Sequence, residues 1–261
     1  MTKAGINDGI IGIVGGMGPL AGLDLCRKII TQTIAAKDQD HLPLVLYSTP
    51  QIIGDRTEYL LGTIEENPAY AIVQILAKLE SMGCTVAGLS CNTVHAPQIF
   101  GVIKNKLSER GSSINLLNII NEVGVFIKKQ YPEVANVGVL GTTGTYRTKL
   151  YDQLSDFGLG IINLSQQEQA KVHASIYHPE YGIKSDTDMV RKEAREILFS
   201  AADSLIRYKS EAIILGCTEL PFVFEDNFYN GIPVIDPTLI FARALIKAHS
   251  PRKLKPWLLN S

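Results

Sequence analysis

The sequence predicts an α/β protein made of two similar, pseudo-symmetric domains, each with a short parallel sheet flanked by helices, with an active site in the cleft between them. Three observations lead there. Short β-branched runs alternate with longer helical stretches, the order expected of parallel strands joined by crossover helices. A strand running into a glycine-rich turn occurs twice, as GIVGGMG from Gly12 and GVLGTTG from Gly138. A cysteine motif then follows each at the same distance: Cys91, in VAGLSCNT, lies 79 residues after Gly12, and Cys217, in AIILGCTE, lies 79 after Gly138.

In chain order, the strand candidates are Gly9–Val14, Leu44–Ser48, Thr85–Leu89, Asn115–Asn118, Val137–Leu140, Gly160–Leu164, Glu211–Leu215 and Val234–Ile235. Helices fall between them. Leu20, Leu23, Cys26, Ile30 and Ile34 are spaced for one apolar helix face, opened by Pro19, whose missing N–H costs nothing in a first turn. Pro68–Met82 and Lys192–Tyr208 carry the same period. The repeat divides the chain into a first domain of residues 1–115 plus 236–261 and a second of 116–235. Its period is too long for a solenoid. In open parallel sheets ligands bind beyond the carboxyl ends of the strands, so two facing halves would bring Cys91 and Cys217 to one cleft from opposite sides.

Composition excludes several classes of function. Of 261 residues, 25 are Lys or Arg and 26 Asp or Glu, a net charge of −1, so no basic field exists to attract nucleic acid or anionic lipid. No apolar run is long enough to span a membrane. The segment MTKAGINDGIIGIVGG reads as a first β-strand rather than a signal peptide. Four scattered cysteines without a Cys-x-x-Cys pair make neither a disulfide framework nor a zinc site. A reduced, cytoplasmic protein is expected.

Two cysteines placed to flank one carbon suit a specific chemistry. Inverting an α-carbon requires removing its proton from one face and delivering one to the other. Two acid/base groups in opposite states, one thiolate and one thiol, can do both, and a thiol pKa of roughly 8.5 lies near working pH. Each cysteine ends a strand and precedes a candidate helix start, whose unpaired N–H groups lower a thiol pKa. Asn92, Thr93, Thr218 and Glu219 are polar neighbours able to bond a substrate or orient a thiol. Glu219 could deprotonate Cys217 or hold a substrate ammonium; the sequence leaves both open. The turns around Met17 and Gly18 and around Thr142 and Thr143 offer successive N–H groups to a carboxylate. They match neither a P-loop nor a dinucleotide fingerprint.

The pair SCNT and GCTELP, with IVGGMGP near the N-terminus and an internal DRT, resembles the aspartate/glutamate racemase family, in particular its aspartate racemase branch. The resemblance runs from about Gly9 to Pro237. It implies two similar α/β domains with the site between them, and neither pyridoxal phosphate, any other cofactor nor a metal. It implies Cys91 and Cys217 as the catalytic pair, with Gln51 beside them in the substrate site, and a homodimer. It further implies that Arg56, in the DRT segment, and Lys184, in IYHPEYGIKS, hold the second acid group of a small acidic amino acid such as aspartate or glutamate. Arg grips a carboxylate through two parallel hydrogen bonds; Lys adds a point charge. Either could instead be a surface cation in an ion pair. Gly54 precedes the Asp-Arg-Thr where many relatives have Pro, which frees the loop backbone.

Weaker candidates remain. Cys26 and Cys84 read as packing. His95, four residues after Cys91, could tune that thiol or cap the turn. His173 and His178 lack metal-ligand spacing, and Tyr177 and Tyr181 could line the cleft. Three other functions compete with racemisation of an acidic amino acid: racemisation of broader specificity, a related carboxylic-acid isomerase or decarboxylase, and passive binding of a small acid. Retention of both cysteines favours racemisation, since a one-face reaction needs only one.

Overall fold

The computed structural model describes residues 9–185 and 189–257. They divide into two compact units, residues 9–122 with 238–257 and residues 123–185 with 189–237.

The first unit carries strands β1 (Ile10–Gly15), β2 (Leu44–Ser48), β3 (Cys84–Leu89) and β4 (Asn115–Leu116), all parallel, in the order β2-β1-β3-β4. Its helices are α1 (Pro19–Gln32), α2 (Arg56–Leu60), α3 (Ala69–Ser81) and α4 (Pro97–Glu109), with α5 (Ile119–Gln130) leading into the second unit. The second unit carries β5 (Asn136–Leu140), β6 (Gly160–Ile162), β7 (Ala212–Leu215), β8 (Phe228–Tyr229) and β9 (Ile232–Ile235), in the order β6-β5-β7-β9-β8. Its helices are α6 (Thr143–Arg147), α7 (Gln166–Tyr177) and α8 (Lys192–Arg207); α9 (Pro237–His249) then returns the chain to the first unit.

The predicted α/β class and all eight predicted strands are present, each within about two residues at either end. The sequence reading missed β8, a two-residue strand antiparallel to β9 at the sheet edge, too short to display any alternation.

Apart from β8, the two sheets share one strand order, and their central strand pairs share one register. Val14 pairs Leu89 and Leu140 pairs Leu215, partners 75 positions apart in both cases (89 − 14 and 215 − 140). The turns leaving these strands repeat as well: the Ser90 N–H donates to the Val14 carbonyl, and the Gly216 N–H to that of Leu140. Each sheet has its own core. Val14, Ile72, Leu76, Leu89 and Ile103 fill one, and Leu140, Leu198, Leu205, Ile213 and Leu215 the other. Strands buried on both faces read as continuous apolar runs, as they do here.

One expected face is reversed. Helix α1 forms where its period and Pro19 placed it, but Leu20, Leu23 and Ile30 face solvent, as does Ile34 just beyond its end. The buried side is Ala21, Gly22, Asp24, Leu25, Lys28 and Ile29. Small residues decide this. A Cβ on Gly22 would stand 2.9 Å from Leu46 and 3.4 Å from the Gly15 backbone, so the helix lies closely on the sheet through its glycine side. Asp24 and Lys28, both mostly buried, make an ion pair of 2.6 Å. Cys26 is only half-buried, and burial pushes its thiol up to about 11. Cys84 is buried in the core of the first unit, as expected.

Candidate active site

In the first unit, the residues singled out in the sequence all follow carboxyl ends of neighbouring parallel strands: Met17 and Gly18 after β1, Gln51 and Arg56 after β2, and Cys91, Asn92 and Thr93 after β3. Gly18 is the N-cap of α1, with no side-chain cap. Gln51 is exposed, in a 3-10 turn over Pro50–Ile52. The DRT segment works as a unit. Asp55 caps α2 by accepting from the Glu58 N–H at 2.9 Å, the role short acidic side chains play at helix starts. Arg56 then opens the helix and turns back, its Nη2 donating to the Met17 carbonyl at 3.2 Å and its Nη1 to that of Gly54 at 3.3 Å. The Gly54 backbone carbonyl thus helps orient the arginine.

Cys91 and Asn92 are buried, 7% and 4% exposed, and Thr93 is half-buried. His95 is fully buried, and its Nδ1 bonds the Cys91 carbonyl at 2.9 Å. A carbonyl can only accept, so Nδ1 carries the proton. Burial lowers the imidazole pKa to about 4, against the pull of nearby backbone carbonyls. His95 is therefore a neutral brace for the cysteine turn, packed against Phe100 and Phe241. Both amide atoms of Asn92 are buried without a hydrogen-bond partner. An unpaired buried amide is costly in a finished structure, and it marks a place where a polar ligand or water would be held.

In the second unit, Thr142 and Thr143 follow β5, Lys184 follows β6 and α7, and Cys217, Thr218 and Glu219 follow β7. Thr142 caps the short α6, accepting from the Thr145 N–H at 3.3 Å. The Thr143 N–H donates to Nδ1 of His173. Helix α7 begins with a capping box, Ser165 and Glu168 bonding each other's backbone N–H. The chain after α7 folds back on that helix, with the Lys184 N–H donating to the Ile176 carbonyl. A Cβ on Gly182 would meet the His178 backbone at 2.5 Å, so only glycine permits this fold-back.

Glu219 organises the group. One carboxylate oxygen pairs with the Lys184 ammonium. The other accepts from the Cys217 thiol at 3.0 Å and from the Thr218 hydroxyl at 2.9 Å. Burial opposes its charge, but the Lys184 cation and these hydrogen bonds hold its pKa below the usual carboxylate value. Burial likewise opposes the charge on Lys184, yet the Glu219 charge and its hydrogen bond raise the lysine pKa. Cys217 is pushed well above the ordinary thiol range, first by burial and then by the Glu219 charge, with Lys184 opposing. This reverses the expectation of a helix start lowering that thiol. Only a 3-10 turn, Leu220–Phe222, follows Cys217, while burial and then the carboxylate two residues away raise the thiol.

Sequence reasoning missed Gln169, whose Nε2 fixes the Gly141 carbonyl at 2.9 Å; a glutamine within a helix gives no signal. It undervalued Tyr177, whose ring lies 5.5 Å from the Lys184 ammonium and beside His173. Among the described residues no cluster of three or more His, Cys, Asp or Glu is arranged to hold a metal, and no helix is long and apolar enough to cross a membrane.

The model of the Asp/Glu/Hydantoin racemase family matches residues 14–245. The chain belongs to this family. Its structure is similar to that of aspartate racemase from Picrophilus torridus, with 34% identity, a TM-score of 0.76, and coverage of 95% of this chain and 96% of the other. By sequence it is 25% identical over 252 residues to the broad specificity amino-acid racemase RacX of Bacillus subtilis, covering 92% of this chain and 98% of RacX. Glutamate racemase RacE1 of Bacillus anthracis shares the fold, with a TM-score of 0.63 at 15% identity over 97% of this chain and 85% of the other. The chain is thus an enzyme of racemase type, with the two-domain α/β fold of these relatives.

Proposed function

We propose that the chain interconverts the enantiomers of an acidic amino acid, aspartate first, by a two-base mechanism in which Cys91 and Cys217 serve opposite faces of the α-carbon. The observation that carries this reading is the matched placement of the two thiols, each two residues past the same rung of the same ladder in two sheets of one topology. One thiolate takes the Cα proton, its electron pair stays on the substrate, and the other cysteine delivers a proton to the far face. Arg56 and Lys184 receive the side-chain carboxylate, while Asn92 and Thr93 hold the α-substituents. No pyridoxal phosphate or metal is assigned a part. All four cysteines are free, which suits a reducing compartment such as the cytoplasm.

Two features support this substrate class: the cations after equivalent strands of the two sheets, and the similarity to the Picrophilus torridus aspartate racemase over nearly the whole chain. The similarity to RacX favours a second reading, in which neutral amino acids are also accepted. One experiment separates them. Purified protein is incubated in deuterated water with L- and D-forms of aspartate, glutamate and a neutral panel, without pyridoxal phosphate. Cα exchange and inversion with aspartate or glutamate alone is the expected result; inversion across the neutral panel establishes broad specificity. No exchange with any amino acid overturns both. Cys91→Ala and Cys217→Ala should each lower inversion by about 10³-fold or more, the scale of a lost general acid or base.

We further infer a homodimer that pairs through the solvent side of α1. Leu20, Leu23 and Ile30, with Ile34 beyond them, form an apolar strip on a helix whose charged Asp24–Lys28 pair faces inward. Such a strip can pair with itself across a twofold axis.

A further inference from the structure

The two cysteines are not equivalent in their polar surroundings, although both are about equally buried, at 7% and 8% exposed. The Cys217 thiol donates to Glu219 Oε2 at 3.0 Å, and that same oxygen accepts from Thr218. Glu219 cannot rotate away, because its other oxygen is tied to the Lys184 ammonium. Lys184 is fixed in turn by the fold-back onto α7 and by the Tyr177 ring. A carboxylate accepts hydrogen bonds and has none to give. A contact between sulfur and an ionised carboxylate therefore requires the proton to sit between them, on sulfur. A thiolate there would place two negative charges in hydrogen-bond contact.

We propose that Glu219 is a positioning residue that assigns the starting states of the two cysteines: clamped by Lys184, it keeps Cys217 as the thiol, so Cys91 is the member that begins as the thiolate. That Cys217 is held as the thiol stands on this geometry alone; that Cys91 is the thiolate rests on the two-base reading above. In the first turnover Cys91 Sγ takes the Cα proton and the Cα–H electron pair remains on the substrate. The Cys217 S–H bond then breaks as a new C–H bond forms on the opposite face. The negative charge has moved from Cys91 to Cys217, where Lys184 is at hand, and proton exchange with water restores the resting form. The charged and titratable groups around Cys217 are Glu219 on its own turn and Lys184 after α7; Tyr177 and His173, one turn apart on α7, stand behind Lys184. Burial and the Glu219 charge both hold the thiol in its protonated form.

The test measures labelling of each cysteine by iodoacetamide across pH, read by peptide mass spectrometry, and needs no turnover. Equal burial makes the pH midpoint, rather than access, the informative quantity. In the unmodified protein Cys91 should label at lower pH than Cys217. Glu219→Gln removes the opposing charge while Lys184 remains. It should move the Cys217 midpoint down by about one unit or more, roughly 10-fold faster labelling near neutral pH. Lys184→Met should move it up, and Glu219→Asp, which keeps the charge, should stay close to the unmodified value. A merely structural role predicts no such pair of opposite shifts. In activity, Glu219→Gln should bring the alkaline limb of the pH–rate profile to lower pH, with Glu219→Asp restoring it. Cys217 labelling first in the unmodified protein, or unchanged or slowed in Glu219→Gln, overturns the proposal. If Glu219→Gln does not fold by circular dichroism, the direction of the Lys184→Met shift decides alone. Loss of the racemase reading would leave the labelling result standing, so the two failures are distinguishable.

Discussion

His95 Nδ1 donates to the Cys91 carbonyl at 2.9 Å from a fully buried imidazole. The ring is neutral in the folded protein, with a pKa lowered by burial to about 4, whereas in the unfolded chain it titrates near 6.5. Above pH 6.5 both states are neutral and His95 adds no pH dependence. Below it the unfolded chain binds the proton first, so stability falls as pH drops from about 6.5 to about 4. The full difference is on the order of 3 kcal/mol. Urea unfolding between pH 7 and pH 4 should show this loss. A His95→Gln variant should lack that part of the slope, although it is less stable at pH 7. A slope unaffected by the substitution would mean the ring is charged or exposed.

Gly216 precedes Cys217 and touches the strand beside it. A Cβ there would lie 2.9 Å from the Leu140 carbonyl oxygen and 3.0 Å from Val139 Cγ1. The oxygen belongs to the ladder and already accepts from the Gly216 N–H, so it cannot yield cheaply. Gly216→Ala should destabilise the fold by about 1–3 kcal/mol, the usual cost of overpacking. It should also displace the Cys217 turn, lowering kcat more than it raises KM. Thermal unfolding with steady-state kinetics checks both, and an alanine variant of unaltered stability would show that the turn has slack.

Fold class, strand positions and the two thiol motifs were legible because they rest on periodicity and on a repeat of fixed spacing. Val14–Leu89 and Leu140–Leu215 are that repeat expressed as ladder rungs. What was not legible depends on three-dimensional neighbours. The side on which α1 packs is set by Gly22 against Leu46, and apolar period alone chose the wrong face. The state of Cys217 depends on Glu219, which the sequence places beside it with its role open, and on Lys184, 35 positions from Glu219, whose clamp on that carboxylate no local pattern reveals. The Gln169 brace and the short β8 carry no pattern at all.

Arg56 is held by the carbonyls of Met17 and Gly54, one of them part of the turn that leads into α1. Its planar fork can add a two-point contact to a carboxylate, which an ammonium on a flexible stem cannot reproduce. Under the proposed function, Arg56→Lys should raise KM for aspartate by roughly 10- to 100-fold, the equivalent of a lost charge-assisted hydrogen bond. Turnover of any neutral amino acid accepted should change far less. Initial rates of inversion with both substrates, measured by chiral chromatography, make the comparison. An equal loss for both substrates would place Arg56 in the support of the Met17 turn rather than in substrate binding.

The outer side of α1 offers the remaining prediction. Leu20, Leu23 and Ile30 are between 43% and 57% exposed, and Ile34 is 46% exposed, while the helix hides an Asp–Lys pair beneath them. A helix that served only its own core would have the opposite arrangement. Leaving such a strip in water forgoes roughly 25 cal/mol for each Å² that a partner would cover. In a twofold pairing every substitution on the strip is introduced twice, close to its own copy. Leu23→Glu should therefore place two like charges in the contact and convert a dimer into a monomer, whereas Glu196→Ala, on α8 and 64% exposed, should have a much smaller effect. Light scattering coupled to size-exclusion chromatography gives the mass of each. A monomeric unmodified protein, or a Leu23→Glu dimer as stable as the original, would remove α1 as the contact. The circular dichroism of Leu23→Glu should match that of the unmodified protein, because Leu23 is 57% exposed and lies outside the buried side of α1.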